Sequence, residues 1–300
     1  MNNCPLVSLI VVTYNSAELL SGFFAALATT RYTYYEVVVV DNASHDTTLD
    51  YLAQNQPQVR VLANRENVGF GCACNQGAAV ARGDLLLFLN PDVTVTPDWL
   101  TILVQHIQAR PDVAIICPST LYPDQRPISV TTAVTEVAAV PGCAMLVPVT
   151  AWRMLGGFDA QIFLYWEDVE LCWRAWLLGG RVLHDQQAVV YHQRGGSSTG
   201  QRWDTEQIKH GLYTYLKLMR WQVVWRFVVL LAAKTLVKVV RYRELALLAA
   251  WGWNIRHLGY TLAQRRELIR KRRGDIAQLE RRIAAQNRQL RYERQQRRSR

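Results

Sequence analysis

From residue 6 to about 120, strand-length apolar runs alternate with helix-like stretches, and every run ends in polar side chains. "LVSLIVVTY" reads as a buried strand, and "SAELLSGFFAALATT" as a helix that Asn15 or Ser16 can cap. "YEVVVVDNAS" is a second strand, followed by a helix over residues 46–55. "VRVLANRE" is a third strand, "GFGCACNQGAAVAR" leads into a helix, and "DLLLFLNPDV" is a fourth strand. Short β-branched runs separated by helices predict βαβ units, hence an α/β fold with a mostly parallel central sheet. In such sheets ligands bind beyond the carboxyl ends of the strands. Those ends carry Thr13-Tyr14-Asn15, Asp41-Asn42, Asn64-Arg65 and Asn90-Pro91-Asp92, four polar clusters that would meet at one crevice. A dinucleotide-binding sheet needs G-x-G-x-x-G opening its first helix. The first turn, "TYNSAE", has no glycine, and "GFGCACNQG" places Cys74 where the third glycine belongs. That class is excluded.

A second block, residues 141–200, contains "PGCAMLVP", "LGGFDAQIF", the acidic "YWEDVELCWRAW", a strand-like "AVVYH" and a Gly/Ser loop. At about 100° per residue the acidic segment divides as a helix. Glu167, Glu170 and Arg174 share a face, with Glu170 and Arg174 at ion-pair spacing i, i+4. Val169, Cys172, Trp173 and Trp176 gather opposite, and Asp168 falls at the border. A carboxylate half-desolvated there, with no built-in cation, has its pKa raised. On this segment alone an ordinary amphipathic surface helix is the simpler account.

Charge divides the chain differently. Residues 264–300 hold 14 of the 34 Lys and Arg but four of the 24 acids, so the whole net charge of +10 resides there. A neutral body with a basic tail points to a polyanionic surface, lipid or nucleic acid. Cysteines 4, 72, 74, 117, 143 and 172 form no CxxC pair, which implies buried thiols and a reducing compartment. "MNNCPLVSLIVV" lacks the basic region of a signal peptide, and no run of 18 uncharged apolar residues exists. A cytoplasmic protein is expected.

The ordered set "SLIVVTYN", "VVVVDNAS", "ENVGFGCACNQG", "LLLFLNPDV", "PGCAMLVP", "LGGFDAQIFLYWEDVELCWRAW" and "YHQRGGSS" resembles family-two glycosyltransferases of the GT-A fold. Any one motif occurs elsewhere; seven in order, over roughly residues 6–200, carry the resemblance. The subgroup most similar transfers rhamnose from a thymidine diphosphate donor in cell-surface polysaccharide assembly, with galactofuranosyl transferases close behind. The resemblance implies an inverting transferase that uses a divalent cation, Mg²⁺ or Mn²⁺, and a lipid-linked or polysaccharide acceptor. It implies donor contacts from Thr13, Asn15, Asp41, Asn67, Gly69, Asn75, Asn90, Ser197 and Ser198, with Asp41 accepting a hydrogen bond from a uracil or thymine base. Asn90-Pro91-Asp92 stands where the family has its metal-binding DxD element. Asn replaces the first Asp, so Asp92 becomes the main anionic ligand, and His192 completes the metal site. Asp168 matches the general base and Glu167 an acceptor-orienting acid.

Catalytic residues 1–202 are followed by an amphipathic helical region, 203–263, and a basic helical tail, 264–300. Lys217, Arg220, Lys234, Lys238 and Arg241 cluster on one side if the region is one long helix, and Trp221, Trp225, Trp251 and Trp253 suit a lipid headgroup zone. Packing on the catalytic domain or on a second subunit is the ordinary alternative. Leu262, Ile269, Ile276, Ile283 and Leu290 recur every seven residues, a thin coiled-coil seam. The expectation is a peripheral protein at the inner face of an anionic membrane, with homo-oligomer formation through these helices as an option. A basic-tailed nucleic-acid-binding or scaffold protein is the rival of another class. The tail lacks interleaved aromatics apart from Tyr292, so no nucleic-acid partner is expected.

Overall fold

The structure is a computed structural model that describes residues 4–125, 134–193 and 201–298. Strands β1 (Val7–Thr13), β2 (Tyr35–Asp41), β3 (Arg60–Ala63) and β4 (Leu85–Leu89) are connected through helices α1 (Ala17–Leu27), α2 (Thr48–Asn55) and α3 (Phe70–Val80). They pair in parallel in the order β3-β2-β1-β4, with Thr13 opposite Asp41 and Val11 opposite Leu89. The polar strand ends therefore share one edge of the sheet.

The second half adds β5 (Val93–Val95), α4 (Trp99–Gln108), β6 (Val113–Leu121), β7 (Val134–Glu136), β8 (Ala144–Pro148), α5 (Val149–Leu155), α6 (Glu167–Leu177) and β9 (Arg181–His192). Here the sheet turns mixed. β8 runs antiparallel between β4 and β6, while β9 lies parallel to β6 and antiparallel to β5 and β7. The full order is β3-β2-β1-β4-β8-β6-β9-β5, with β7 on β9. Every residue of β4 is buried, as expected for a strand covered on both faces. Phe23, Phe24 and Trp99 from α1 and α4 fill one face, and Phe88, Phe158, Leu171 and Trp173 fill the other.

Five helices complete the chain: α7 (Gln201–Leu218), α8 (Trp221–Tyr242), α9 (Ala246–Arg256), α10 (Leu258–Lys271) and α11 (Ile276–Arg298). The single long helix that would align the cations is broken between α7 and α8, and again at Arg243, whose φ is 55°. The cations disperse accordingly. Lys217 is buried against Asp159 and Glu170, Arg220 pairs with Glu280, and Lys238 pairs with Asp204 and Glu244. Only part of the Trp set faces outward: Trp221 and Trp225 do, whereas Trp251 donates to Thr235 and Trp253 stacks on His257.

The heptad seam is also interrupted, between Lys271 and Ile276. Arg273 and Gly274 both donate their backbone N–H to Leu177 O at the end of α6 (3.0 Å each). A Cβ on Gly274 would stand 1.9 Å from Trp176 O, so only glycine permits this close approach. α11 then runs back over α6 and the segment before β8. Gln286 accepts from the N–H of Ala138 and Ala139 and donates to Ala139 O, and Arg282 pairs with Glu136 above the Trp176 ring. Ile276 and Ile283 pack into the core beside buried Leu279 rather than forming a free seam.

Candidate active site

α6 is approached through two successive non-glycine residues in the left-handed region, Tyr165 (φ 63°) and Trp166 (φ 76°). Such a pair costs backbone energy and persists only where packing enforces it. Enforcement comes from α7: the Trp166 indole donates to Gln207 Oε1 (2.9 Å) and meets Trp173 and Tyr215 edge-on. This turn makes Glu167 and Asp168 the first two residues of α6, facing a cleft.

Asp168 Oδ2 accepts from Gly142 N–H (3.0 Å) and Oδ1 from Val169 N–H (2.7 Å). Glu167 is 8% exposed, and its Oε2 has no partner among the described residues. Burial pushes Glu167 up to about 8, and the adjoining Asp168 charge adds to the shift. Burial likewise raises Asp168, despite the two backbone donors. The pair therefore retains a proton near neutrality. A folded-state pKa above the unfolded value of 4.5 means that the folded chain binds more protons between pH 4.5 and about 8, so stability drains away as pH rises through that window. The Glu167→Gln variant is expected to lose less melting temperature than wild type between pH 5 and pH 9. Parallel loss in both proteins would refute the assignment.

The helix is not an exposed amphipathic one. Glu170 is fully buried and bonds Arg174 at 2.6 Å and Lys217 at 2.7 Å. Arg174 also donates to the carbonyls of Leu155 and Gly157. The polar face that a helical wheel assigns to water is instead neutralised by a cation 47 residues downstream.

Across the cleft, Asn90 follows β4 and donates its N–H to Cys143 O (2.9 Å). Val93 pairs with His192 in the β5–β9 ladder, and Gln193 N–H donates to Asp92 O (3.0 Å). That ladder brings Asp92 Oδ1 within 3.1 Å of His192 Nε2. Neither atom makes an aligned hydrogen bond, nor does buried Asn90 Oδ1. Two ligands at right angles on an octahedral cation, each about 2.1 Å from it, stand about 3.0 Å apart. The pair fits a hard divalent cation on distance and on its unsatisfied acceptors. Among the described residues no third His, Cys, Asp or Glu joins them, so further ligands would come from a bound diphosphate and water.

Asn90, His192, Glu167 and Asp168 line one cleft of about 540 Å³, together with Gly142, Cys143 and Thr120. Cys143 sits between the walls. Burial pushes its thiol up to about 11, and both Asp92 and Asp168 contribute.

A second polar group occupies the ends of β1 and β2. Asp41 is fully buried; Thr13 donates to it (2.8 Å), as do the Ser44 N–H (2.9 Å) and hydroxyl (2.6 Å). These bonds tie Asp41 into the rim at the ends of β1 and β2. Asn15, at φ 50°, donates its N–H to Ser44 Oγ and accepts from His45 N–H. Asn67 Oδ1 accepts from Asn42 Nδ2 and from Gly69 N–H. Gly69 has φ 87°, and a Cβ there would lie 2.5 Å from Phe163 O, so glycine is required. Asn75 does not line this cleft. Its amide exchanges two hydrogen bonds of 2.9 Å with the backbone of Phe158, and it lines a separate cavity with Asp159 and Lys217. Ser197 and Ser198 lie outside the described residues.

Sequence reasoning missed four contributors. Gly142 orients Asp168 through its N–H, and the quoted "PGCAMLVP" was the available signal. Lys217 and Asp159 brace α6, and Leu290 of α11 lines the cleft; no local pattern announces either.

The model for Glycosyl transferase family 2 matches residues 8–171. The chain is 26% identical over 258 residues to N-acetylglucosaminyl-diphospho-decaprenol L-rhamnosyltransferase of Mycobacterium tuberculosis, covering 71% of this chain and 84% of that protein. It is 27% identical over 111 residues to an uncharacterized glycosyltransferase of Haemophilus influenzae, covering 36% of this chain and only 34% of that protein. Among solved structures, a mannosyltransferase from Pyrobaculum calidifontis in complex with GDP-Man and Mn²⁺ superposes with a TM-score of 0.59 at 19% identity, over 90% of this chain and 86% of that one. GalNAc-T7 with UDP, GalNAc and Mn²⁺ gives 0.56 at 19% identity, over 72% and 51%. The shared architecture is the GT-A type, and with the family match spanning more than half of its length, this chain belongs to glycosyl transferase family 2.

Proposed function

We propose that the protein is an inverting, cation-dependent transferase that moves a sugar, rhamnose from dTDP-rhamnose, onto a lipid-linked or polysaccharide acceptor at the inner face of the membrane. The observation that carries this reading is one cleft with a carboxylate pair on one wall and Asn90 and His192 on the other, with Asp92 held 3.1 Å from His192. The mycobacterial relative's name supports the choice of rhamnose and of a lipid-linked acceptor. Asp92 and His192 would hold the cation, whose charge offsets that of the departing diphosphate. Asn90 would contact the donor beside them. The rim built by Thr13, Asn15, Asp41, Asn67 and Gly69 would receive the nucleoside. Asp168, held by Gly142 N–H, would take the proton of the acceptor hydroxyl as its oxygen attacks the anomeric carbon from the side opposite the diphosphate. Single displacement needs no protein nucleophile and inverts the centre. Glu167, protonated at neutral pH, would donate a hydrogen bond that orients the acceptor.

Donor binding titrated with Mg²⁺ or Mn²⁺ tests the ridge. Asp92→Ala and His192→Ala are expected to weaken metal-dependent dTDP-rhamnose binding at least ten-fold, leaving metal-free binding unchanged. Equal affinity in all three proteins would remove the cation site. Tighter binding of UDP-sugars than of dTDP-rhamnose would transfer the reading to a galactofuranosyl or hexosyl donor.

A further inference from the structure

The outward face of α8 is apolar from Val229 to Val240, while exposed Gln222 and Arg226 interrupt the same face in its first two turns. Val224 and Thr235 mark the buried side. Opposite them, Trp225, Val229, Leu230, Leu236, Val237 and Val240 are between 48% and 71% exposed. At 100° per residue these six fall within an arc of about 140°, on a helix about 33 Å long. Leu245 and Leu248 extend the surface past the turn at Arg243, at 64% and 52% exposure. Monomeric soluble proteins rarely show so continuous an apolar stripe to water.

Charge distinguishes among occupants. α8 contains no acid, while Arg226, Lys234, Lys238 and Arg241 supply four cations. Lys234 and Arg241 border the apolar arc and make no ion pair among the described residues. Their long side chains would reach upward from a helix lying flat, toward anionic headgroups, with Trp221 and Trp225 at one end. A protein partner with an apolar groove has no use for this one-sign border. No described helix is long and apolar enough to cross a membrane, so a helix in the plane of the interface is the geometry that remains.

We infer that the outer face of α8, continued by Leu245 and Leu248, inserts into the headgroup–acyl boundary of an anionic bilayer. This assigns membrane contact to an apolar face in the helical stretch before the tail, and not to the Arg-rich tail, whose Leu279, Arg282, Ile283 and Gln286 pack against the rest of the chain. It rests on the membrane-face reading above only for location. The binding measurement involves no transfer, so its failure would leave the transferase reading untouched.

The test is co-sedimentation of the full chain with vesicles of phosphatidylglycerol and phosphatidylcholine, and with phosphatidylcholine alone, at about 0.15 M salt. The partner variant is Leu230→Glu with Val240→Glu, two exposed positions whose replacement leaves the core intact. Wild type is expected to partition at least ten-fold more strongly onto the anionic vesicles than the variant, with both sharing one melting temperature. Three results would overturn the inference. One is no wild-type binding to anionic vesicles. Another is equal binding by the variant, which would hand the contact to the tail. The third is a wild-type dimer in light scattering that the variant abolishes without any vesicle binding, which would make the face a contact between two copies.

Discussion

Replacing Asp168 by Asn is expected to lower turnover by about a hundred- to ten-thousand-fold while donor affinity stays at the wild-type level. The amide keeps one oxygen to accept from Gly142 N–H and gives up the bond from Val169 N–H, so the side chain stays tied to the loop but cannot take a proton. Removing a charge from a desolvated position also relieves the repulsion with Glu167, so the variant's melting temperature at pH 8 should match or exceed that of wild type. Turnover and a dTDP-rhamnose binding isotherm on the same preparation separate the outcomes. Undiminished turnover would remove the base assignment, and lost donor affinity would move Asp168 to the donor side.

Lys217→Met should produce the largest loss of stability among side chains away from the cleft. Lys217 is 6% exposed and bonds Asp159 Oδ2 at 2.5 Å and Glu170 Oε1 at 2.7 Å. Burial opposes ionisation of Asp159, yet Lys217 and the Tyr213 hydroxyl hold its carboxyl below the usual range. Burial opposes ionisation of Glu170 too, and Arg174 with Lys217 holds it low. Taking one partner from a buried ion network costs about 3–5 kcal/mol. Arg174 stays on Glu170, which places the loss near the lower end. Melting temperature should fall by roughly 6–12 °C. Asp159→Asn in the same chain should recover part of it, because the stranded charge is then gone. Both carboxyls are depressed in the folded state, so the network's contribution is present above the ordinary carboxylate range and lost as pH falls through the depressed values. The gap between wild type and variant should therefore narrow on acidification. A constant gap from pH 7 to pH 3 would show that Lys217 acts by packing alone.

What the sequence revealed and what it hid follow from the range of the forces involved. Strands β1, β2 and β4 and their polar ends were legible because burial writes continuous apolar runs, and the Glu170–Arg174 pair because i, i+4 spacing is local. The site ridge was legible because Asn90-Pro91-Asp92 ends a strand and His192 ends another, although nothing local says that β9 returns antiparallel beside β5 to set them 3.1 Å apart. The surroundings of α6 were not legible. A wheel shows which residues share a face but not that Lys217 arrives to neutralise it. The heptad seam misled for the same reason: a glycine that lets two backbones touch looks, in one dimension, like a gap in a coil.

The return of α11 across α6 and the segment before β8 has a temporal consequence. Leu290 stands in the wall of the cleft, and Gln286 clamps the strand-to-loop segment at Ala138 and Ala139 that leads to Gly142. A ribosome that has made the entire sheet, with residues 92, 168 and 192 already emerged, has still not finished the pocket. The wall of the cleft is complete only once the segment bearing Gln286 and Leu290 has left the exit tunnel and docked.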